Sequence, residues 1–158
     1  MPVDRVIGID FDNTIASYDL AMKEMAVERR LVDPVILAQK KIIRDAIRQR
    51  EDGEKQWQEL QADVYGPYIE RATMIDGVAS FFRTCRQLRY PVYIVSHKTE
   101  FAARGDRRTN LRTLAMDWMK TRRFFDSSGM GLSPEHVYFE NTMEEKAERI
   151  RSLGCTDF

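Results

Sequence analysis

Three short apolar runs, separated by longer amphipathic segments, organise this chain. The runs cover residues 6–9, 92–95 and 137–139, and none of them shows a helical period. Short continuous apolar runs are typical of strands that are buried on both faces of a parallel sheet. Because helical patterns alternate with these runs from residue 76 onward, the order predicts an α/β fold with a doubly wound parallel sheet.

Three helices are predicted between and after these strands. Asp76-Gly77 begins the first, and its inward residues are Val78, Phe81, Phe82, Cys85 and Leu88. The second has an apolar face made of Leu111, Leu114, Ala115, Trp118 and Met119. Thr142 and Glu145 have the spacing of a capping box, which predicts that the third helix begins there and ends at Leu153-Gly154.

Residues 18–73 differ from the rest, because they are highly charged, form helices and contain almost no strand pattern. Asp33-Pro34 predicts a helix start, and the apolar stripe that follows is Val35, Ala38, Ile42 and Ala46, widened by Ile43 and Ile47. A further helix has Trp57, Leu60, Val64 and Tyr65 on one side, and Gly66-Pro67 ends it. We therefore predict an α/β core of residues 1–17 and 74–158 with a small helical cap of residues 18–73. Trp57, Tyr65 and Tyr68 are expected to form the core of that cap rather than a platform on which bases stack.

The first strand ends in two aspartates, Asp10 and Asp12, which are separated by one residue. Ligands of parallel α/β sheets bind beyond the carboxyl ends of the strands, so both carboxylates are expected at the mouth of a site. Two carboxylates at one place repel each other unless a cation lies between them. The arrangement therefore predicts a Mg²⁺ site.

The segment Asp10-Phe11-Asp12-Asn13-Thr14-Ile15, placed after a buried strand, resembles motif I of the haloacid dehalogenase-like (HAD) hydrolase superfamily. The apolar strand 92–95 ending at Ser96 resembles motif II of that superfamily. Lys146, near the start of a helix, is similar to its motif III lysine. The resemblance implies a Rossmann-like core with a cap insertion, and a Mg²⁺-dependent phosphatase that acts on a small phosphorylated metabolite.

The resemblance also implies a role for each matching residue. Asp10 would attack phosphorus and form an aspartyl-phosphate, while Asp12 would act as the general acid and then as the general base. Asp10 and the backbone carbonyl of Asp12 would hold Mg²⁺. Thr14, Ser96 and Lys146 would bind the phosphoryl group, with Lys146 also stabilising the charge of the transition state.

His97 and Lys98 follow Ser96 directly and are expected on the rim of the same site, as further substrate-binding residues. His97 either contacts the substrate or is a solvated loop histidine, and the sequence does not distinguish the two. The basic residues of the following loop either steer phosphate towards the site or form a solvated charge run. These residues are Arg104, Arg107, Arg108 and Arg112.

The C-terminal end of the chain departs from the HAD pattern. Motif IV places acidic residues after a fourth strand, whereas residues 154–158 here predict only the beginning of that strand. Asp157 precedes any apolar run, so it is a poor candidate for motif IV. We therefore expect a truncated form in which part of the core is missing. In the family's sheet this strand pairs with strand one, so strand one is expected to have an open edge that promotes self-association.

Two alternatives follow from this departure and from the acidic site itself. A HAD-like module that has lost turnover and serves in binding or regulation is the first. The second is a receiver-type phosphoacceptor domain, which also gathers acidic residues, a hydroxyl and a lysine around Mg²⁺. A helical insertion of about 55 residues directly after the aspartates argues against a receiver, because connections of that length are uncommon.

Composition narrows the partners. The chain has 158 residues, with 25 basic and 25 acidic side chains and no net charge, which argues against a dedicated nucleic-acid or membrane-surface binder. Cys85 and Cys155 have no pairing or metal-type spacing, so free thiols are expected. No stretch approaches 18 apolar residues and no N-terminal export signal is visible. A cytoplasmic protein without a membrane partner is the expectation.

Overall fold

The computed structural model describes residues 5–102 and 108–158 of the chain, which form an α/β fold. Five strands and six α-helices lie within those residues. In chain order they are β1 (Ile7–Ile9), β2 (Ala16–Ser17), α1 (Asp19–Glu28), α2 (Lys40–Arg48), α3 (Gly53–Tyr65), β3 (Thr73–Met74), α4 (Val78–Gln87), β4 (Val92–His97), α5 (Leu111–Thr121), β5 (Val137–Glu140) and α6 (Met143–Ser152).

The main sheet is three-stranded and parallel, in the order β1-β4-β5. Ile9 pairs with Ile94 at the end of β1, and Ser96 pairs with Phe139 further along β4. All three predicted strands are confirmed, as is the α/β class. The parallel sheet with helices between its strands is compatible with a Rossmann-like core.

The predicted helices α4, α5 and α6 are confirmed, with one correction at the end of α4. Val78, Phe82 and Cys85 are buried, but Leu88 is 55% exposed. The helix ends at Gln87, so Leu88 lies in the turn beyond it and does not share the buried face. Gly77 precedes this helix with a φ of +90°, a conformation that glycine adopts without steric cost.

The three helices α1, α2 and α3 pack against one another and lie between β2 and β3 in the chain. β2 and β3 form an antiparallel pair in which Ala16 faces Met74 and Ser17 faces Thr73. The helical segment thus leaves and returns at neighbouring positions, close to the domain boundaries predicted at residues 17 and 74. The β2–β3 pair follows Asp12 in the chain and connects all three helices to the segment that contains Asp10 and Asp12.

The predicted start of α2 at Asp33-Pro34 is wrong. Asp33 accepts a hydrogen bond from the Val35 N–H in a local turn, Val35 is 85% exposed, and the helix begins only at Lys40. The Lys40 N–H donates to the Asp19 carboxylate of α1, so a residue distant in the sequence caps this helix. Its buried residues are Ile43 and Ile47, whereas the predicted stripe residues Ile42 and Ala46 are half-buried.

The predicted open edge of β1 is partly covered. The Gly8 N–H donates to the Asp157 carbonyl at 2.9 Å, and Thr156 N–H donates to the Val6 carbonyl at 2.8 Å. This segment runs parallel to β1 on the side away from β4. A methyl group on Gly8 would lie 2.5 Å from the Phe158 ring, so glycine permits the close approach of the C-terminal residues.

No helix within residues 5–102 and 108–158 is long and apolar enough to cross a membrane. Cys85 is buried, Cys155 is half-buried, and both are free thiols. Two of the arginines predicted to form a basic loop, Arg104 and Arg107, lie outside the described residues.

Candidate active site

Asp10, Asp12 and Ser96 lie at the carboxyl ends of two neighbouring parallel strands. Because Ile9 pairs with Ile94, Asp10 follows the last pair of β1 by one residue and Ser96 follows it by two on β4. Phe11, between the two aspartates, is fully buried and packs edge-on against Trp118 of α5 at 5.5 Å. This anchor fixes the backbone from which both carboxylates project.

Lys146 forms an ion pair with Asp10. Its Nζ lies 3.1 Å from Asp10 Oδ2, and its side chain is 8% exposed. The capping box of Thr142 and Glu145 determines where α6 begins and so places Lys146 in its first turns, facing the sheet. The other oxygen, Asp10 Oδ1, accepts a hydrogen bond from the Phe11 N–H at 2.8 Å. Asp10 is 33% exposed, so solvent and ligands can reach it.

Lys98 forms a second ion pair, with Asp12. Its Nζ lies 3.1 Å from Asp12 Oδ2 and its side chain is 4% exposed. Ser96 and Lys98 are two residues apart at the end of β4, so they point to the same side, while His97 points away. The site therefore holds two carboxylates and two ammonium groups in matched pairs.

Ser96 has a buried hydroxyl without a hydrogen-bond partner among the described residues. A buried hydroxyl without a partner costs roughly 1–3 kcal/mol, so such groups are rare unless a ligand satisfies them. Ser96, Lys98 and Lys146 are the three buried polar residues within the described parts of the chain. All three belong to this site, which makes it the most polar part of the described interior.

Tyr18, which no sequence motif marks, also contacts Asp12. Its hydroxyl donates a hydrogen bond to Asp12 Oδ1, so both oxygens of that carboxylate have partners. Burial, together with the negative charge of Asp12, raises the pKa of Tyr18 above its usual range, so the phenol keeps its proton and acts as a donor. Apart from its hydroxyl, nothing in the sequence distinguishes Tyr18 from the apolar residues that pack beside a helix.

Tyr65 of α3 links the helical segment to this site. Its ring stacks on Tyr18 with the centroids 4.1 Å apart and the planes 25° apart. The Tyr65 hydroxyl accepts hydrogen bonds from Lys40 Nζ at 3.1 Å and from Asn13 Nδ2 at 3.2 Å. The helical period of the sequence predicts that Tyr65 lies in the interior of the cap. It does not reveal the hydrogen bonds that the Tyr65 hydroxyl accepts.

Two residues expected at the site, Thr14 and His97, lie apart from this cluster. Thr14 is exposed in the turn after β1. His97 is exposed, and its Nε2 lies 2.9 Å from the Asn141 carbonyl oxygen. Arg112 has a bracing role, since its Nε donates to the Lys98 carbonyl at 2.9 Å and its Nη2 to Asn141 Oδ1 at 2.7 Å.

The donor set fits Mg²⁺, which prefers oxygen ligands and often uses only one or two carboxylates together with water and a substrate phosphate. Asp10 offers a partly exposed carboxylate. No cluster of three acidic, histidine or cysteine side chains suited to a metal is present in residues 5–102 and 108–158. Asp157 lies beside Ile7, away from the carboxyl end of β1. Because the two ion pairs are neutral, a bound phosphate dianion would leave a charge that a divalent cation balances.

Comparison with known proteins gives no further guide to this site. The chain matches no known family model, no curated protein and no solved structure.

Proposed function

We propose that this chain is a Mg²⁺-dependent phosphohydrolase of the HAD type that acts on a small phosphorylated molecule through an aspartyl-phosphate. The Ser96 hydroxyl is the observation that most favours this function. It is buried beside the pairs Asp10–Lys146 and Asp12–Lys98 and has no hydrogen-bond partner in the parts of the chain that the structure describes. A phosphoryl oxygen is the acceptor that such a hydroxyl and two buried ammonium groups would bind together.

In the first step, a carboxylate oxygen of Asp10 attacks phosphorus and the bond to the leaving oxygen breaks. Asp12 takes up a proton from solvent once Lys98 has turned from it to the phosphoryl group, and gives this proton to the leaving oxygen. Ser96 donates a hydrogen bond to a phosphoryl oxygen. Lys146 and Lys98 supply positive charge where negative charge develops. The products of this step are the free alcohol and a phosphoryl group bound to Asp10.

In the second step, Asp12 removes a proton from water, and the water oxygen attacks phosphorus. The bond between Asp10 and phosphorus breaks, which releases inorganic phosphate and restores both aspartates. Asp10 and the Asp12 backbone carbonyl would hold Mg²⁺, which would supply charge neutralisation and help to orient the phosphoryl group. The remaining positioning comes from the chain's own lysines and from Ser96.

The helical segment would act as a cap over this site. Tyr65 of α3 contacts both Tyr18 and Asn13, so α3 reaches the loop that follows Asp10 and Asp12. A cap in this position would bind the part of the substrate beyond the phosphate and would exclude water during the first step. The identity of the substrate would then depend on residues of this segment.

A phosphatase screen over a panel of phosphorylated metabolites tests this function. Phosphate release is measured with Mg²⁺, with excess chelator, and with the variant Asp10→Asn. We expect release that needs Mg²⁺ and that Asp10→Asn abolishes, because an amide is not a nucleophile here. Glu148→Gln, on the outer turns of α6, is the matched control and should keep full activity.

Two results would decide against this function. Phosphate release that Asp10→Asn leaves unchanged would exclude the aspartyl-phosphate route. Binding of phosphate and Mg²⁺ without turnover of any ester would instead favour the binding or regulatory module that the sequence also allows.

A further inference from the structure

We infer that Tyr18 is a positioning residue that holds one oxygen of Asp12 and thereby directs the other towards the leaving group. We also infer that the stack of Tyr18 on Tyr65 makes this positioning depend on α3, the part of the helical segment that carries Tyr65. The inference rests on the proposed phosphohydrolase function, which it extends to the control of the acid–base group.

The two oxygens of the Asp12 carboxylate have different partners. Tyr18 donates to Oδ1, and Lys98 Nζ lies 3.1 Å from Oδ2. Tyr18 is 1% exposed and its ring is stacked on Tyr65, so its hydroxyl is a fixed donor that cannot easily turn away. Lys98, on a long flexible side chain, is the partner that can move.

An incoming phosphate group changes the partners of Asp12. A phosphoryl dianion competes with Asp12 for the Lys98 ammonium, because it carries more negative charge than one carboxylate. When Lys98 turns to the phosphate, Oδ2 becomes free while Tyr18 still holds Oδ1. Oδ2 then takes up a proton from solvent, delivers it to the leaving group and later receives one from water. Tyr18 thus orients the acid–base group as a third residue orients the base in a catalytic triad.

Tyr65 connects Tyr18 to α2 and α3 of the helical segment. The Tyr18 ring lies against the Tyr65 ring, and the Tyr65 hydroxyl is held by Lys40 of α2 and by Asn13. A substrate that contacts Lys40 or Tyr65 therefore acts on the same stack that fixes Asp12. Occupancy of the cap and the orientation of the acid–base group become coupled through two aromatic rings.

Tyr18→Phe tests the inference, because it removes the hydroxyl and leaves the stacked ring in place. The measured quantity is kcat/KM, which reports formation of the aspartyl-phosphate, with two esters of different leaving-group quality. p-Nitrophenolate leaves without a proton, whereas an alkoxide needs one. We expect Tyr18→Phe to lower kcat/KM for a simple alkyl phosphate at least about tenfold more than for p-nitrophenyl phosphate. Tyr90→Phe, at the opposite end of β4, is the control and should affect neither.

An equal loss with both esters would overturn the inference, since general damage to the fold does not distinguish leaving groups. Tyr65→Leu should also lower kcat/KM more for the alkyl phosphate than for p-nitrophenyl phosphate, but by a smaller factor than Tyr18→Phe. The reason is that it loosens the stack but keeps the Tyr18 hydroxyl. An unchanged ratio of the two esters in Tyr65→Leu would overturn the coupling to the helical segment.

A denaturation measurement separates failure of this inference from failure of the proposed function. Tyr18→Phe should shift the urea midpoint less in an Asp12→Ala background than in the wild-type chain, because the hydrogen bond is already absent there. Equal shifts in the two backgrounds would overturn the Tyr18–Asp12 contact whether or not any ester is hydrolysed. A smaller Tyr18→Phe shift in the Asp12→Ala background, found in a chain that hydrolyses neither ester, would support the Tyr18–Asp12 contact alone. That result would overturn the proposed function and the leaving-group role.

Discussion

Lys146 Nζ lies 3.1 Å from Asp10 Oδ2, although the two residues are near opposite ends of the chain. The pair joins α6 to the end of β1. Lys146 is almost completely buried, while Asp10 remains partly open to solvent. An ammonium group held in this way lowers the repulsion between Asp10 and an approaching phosphate.

Lys146→Gln should therefore lower kcat for any phosphate ester that the chain hydrolyses, by about 10²–10³-fold, the usual effect of removing one preorganised donor. The loss should appear mainly in kcat, because the charge matters most in the transition state. Steady-state kinetics measure it. Arg151→Gln, an exposed position on the same helix, is the control. A loss of less than threefold would show that Lys146 has no catalytic part.

Ser96→Ala should separate stability from binding. Its hydroxyl has no partner among the described residues, so its removal should leave the free energy of unfolding unchanged or raise it by up to about 1–3 kcal/mol. Affinity for inorganic phosphate, measured by calorimetry with Mg²⁺, should fall about tenfold or more. Ser152→Ala, whose hydroxyl bonds the Arg149 carbonyl on the outside of α6, should bind phosphate normally. Ser96→Ala with normal phosphate affinity would remove the main support for the site.

Cys85 should make stability fall at alkaline pH. Burial raises the pKa of the Cys85 thiol above its ordinary value of 9.0, so the folded chain keeps a proton that the unfolded chain loses. The stabilisation is complete below about pH 9 and is lost as the pH rises, by up to about 1.4 kcal/mol per pH unit. Urea denaturation between pH 8 and pH 10 should show a steeper decline for the wild-type chain than for Cys85→Ala. Parallel declines would contradict this account.

The strands and much of the site could be predicted because their pattern is local. The runs ending at Ile9 and Val95 are apolar without interruption, and such a run has few alternatives to a buried strand. Once the strands were parallel and neighbouring, their carboxyl ends had to bring Asp10, Asp12 and Ser96 to one side. The capping box that begins α6 is equally local, and it placed Lys146 in the helix turn that faces Asp10.

What could not be predicted depends on contacts between distant residues. The start of α2 depends on Asp19, a cap from another helix that no local pattern reveals. Tyr18 and Tyr65 meet only because α3 folds back onto the loop after β1. Lys98 was expected on the rim together with His97, but the alternation of side chains along β4 buries Lys98 and exposes His97.

Removal of residues 156–158 should expose the edge of β1. Their backbone hydrogen bonds to Val6 and Gly8 cover the side of that strand away from β4. An apolar strand with unpaired N–H and C=O groups invites pairing with another chain. Light scattering should show more self-association in the shortened chain than in the full 158-residue chain. A shortened chain that remains equally monodisperse would show that these bonds do not protect the edge.

Mass spectrometry of the peptide that contains Asp10 tests the central claim most directly. The chain is mixed with a phosphate ester and Mg²⁺, quenched in acid during turnover, and digested. A phosphoryl group is predicted on Asp10 in the wild-type chain. It should accumulate in Asp12→Asn, because the attack of water is slowed there, and it should be absent in Asp10→Asn. Turnover without any phosphoryl group on Asp10, and with Asp10→Asn fully active, would contradict this claim.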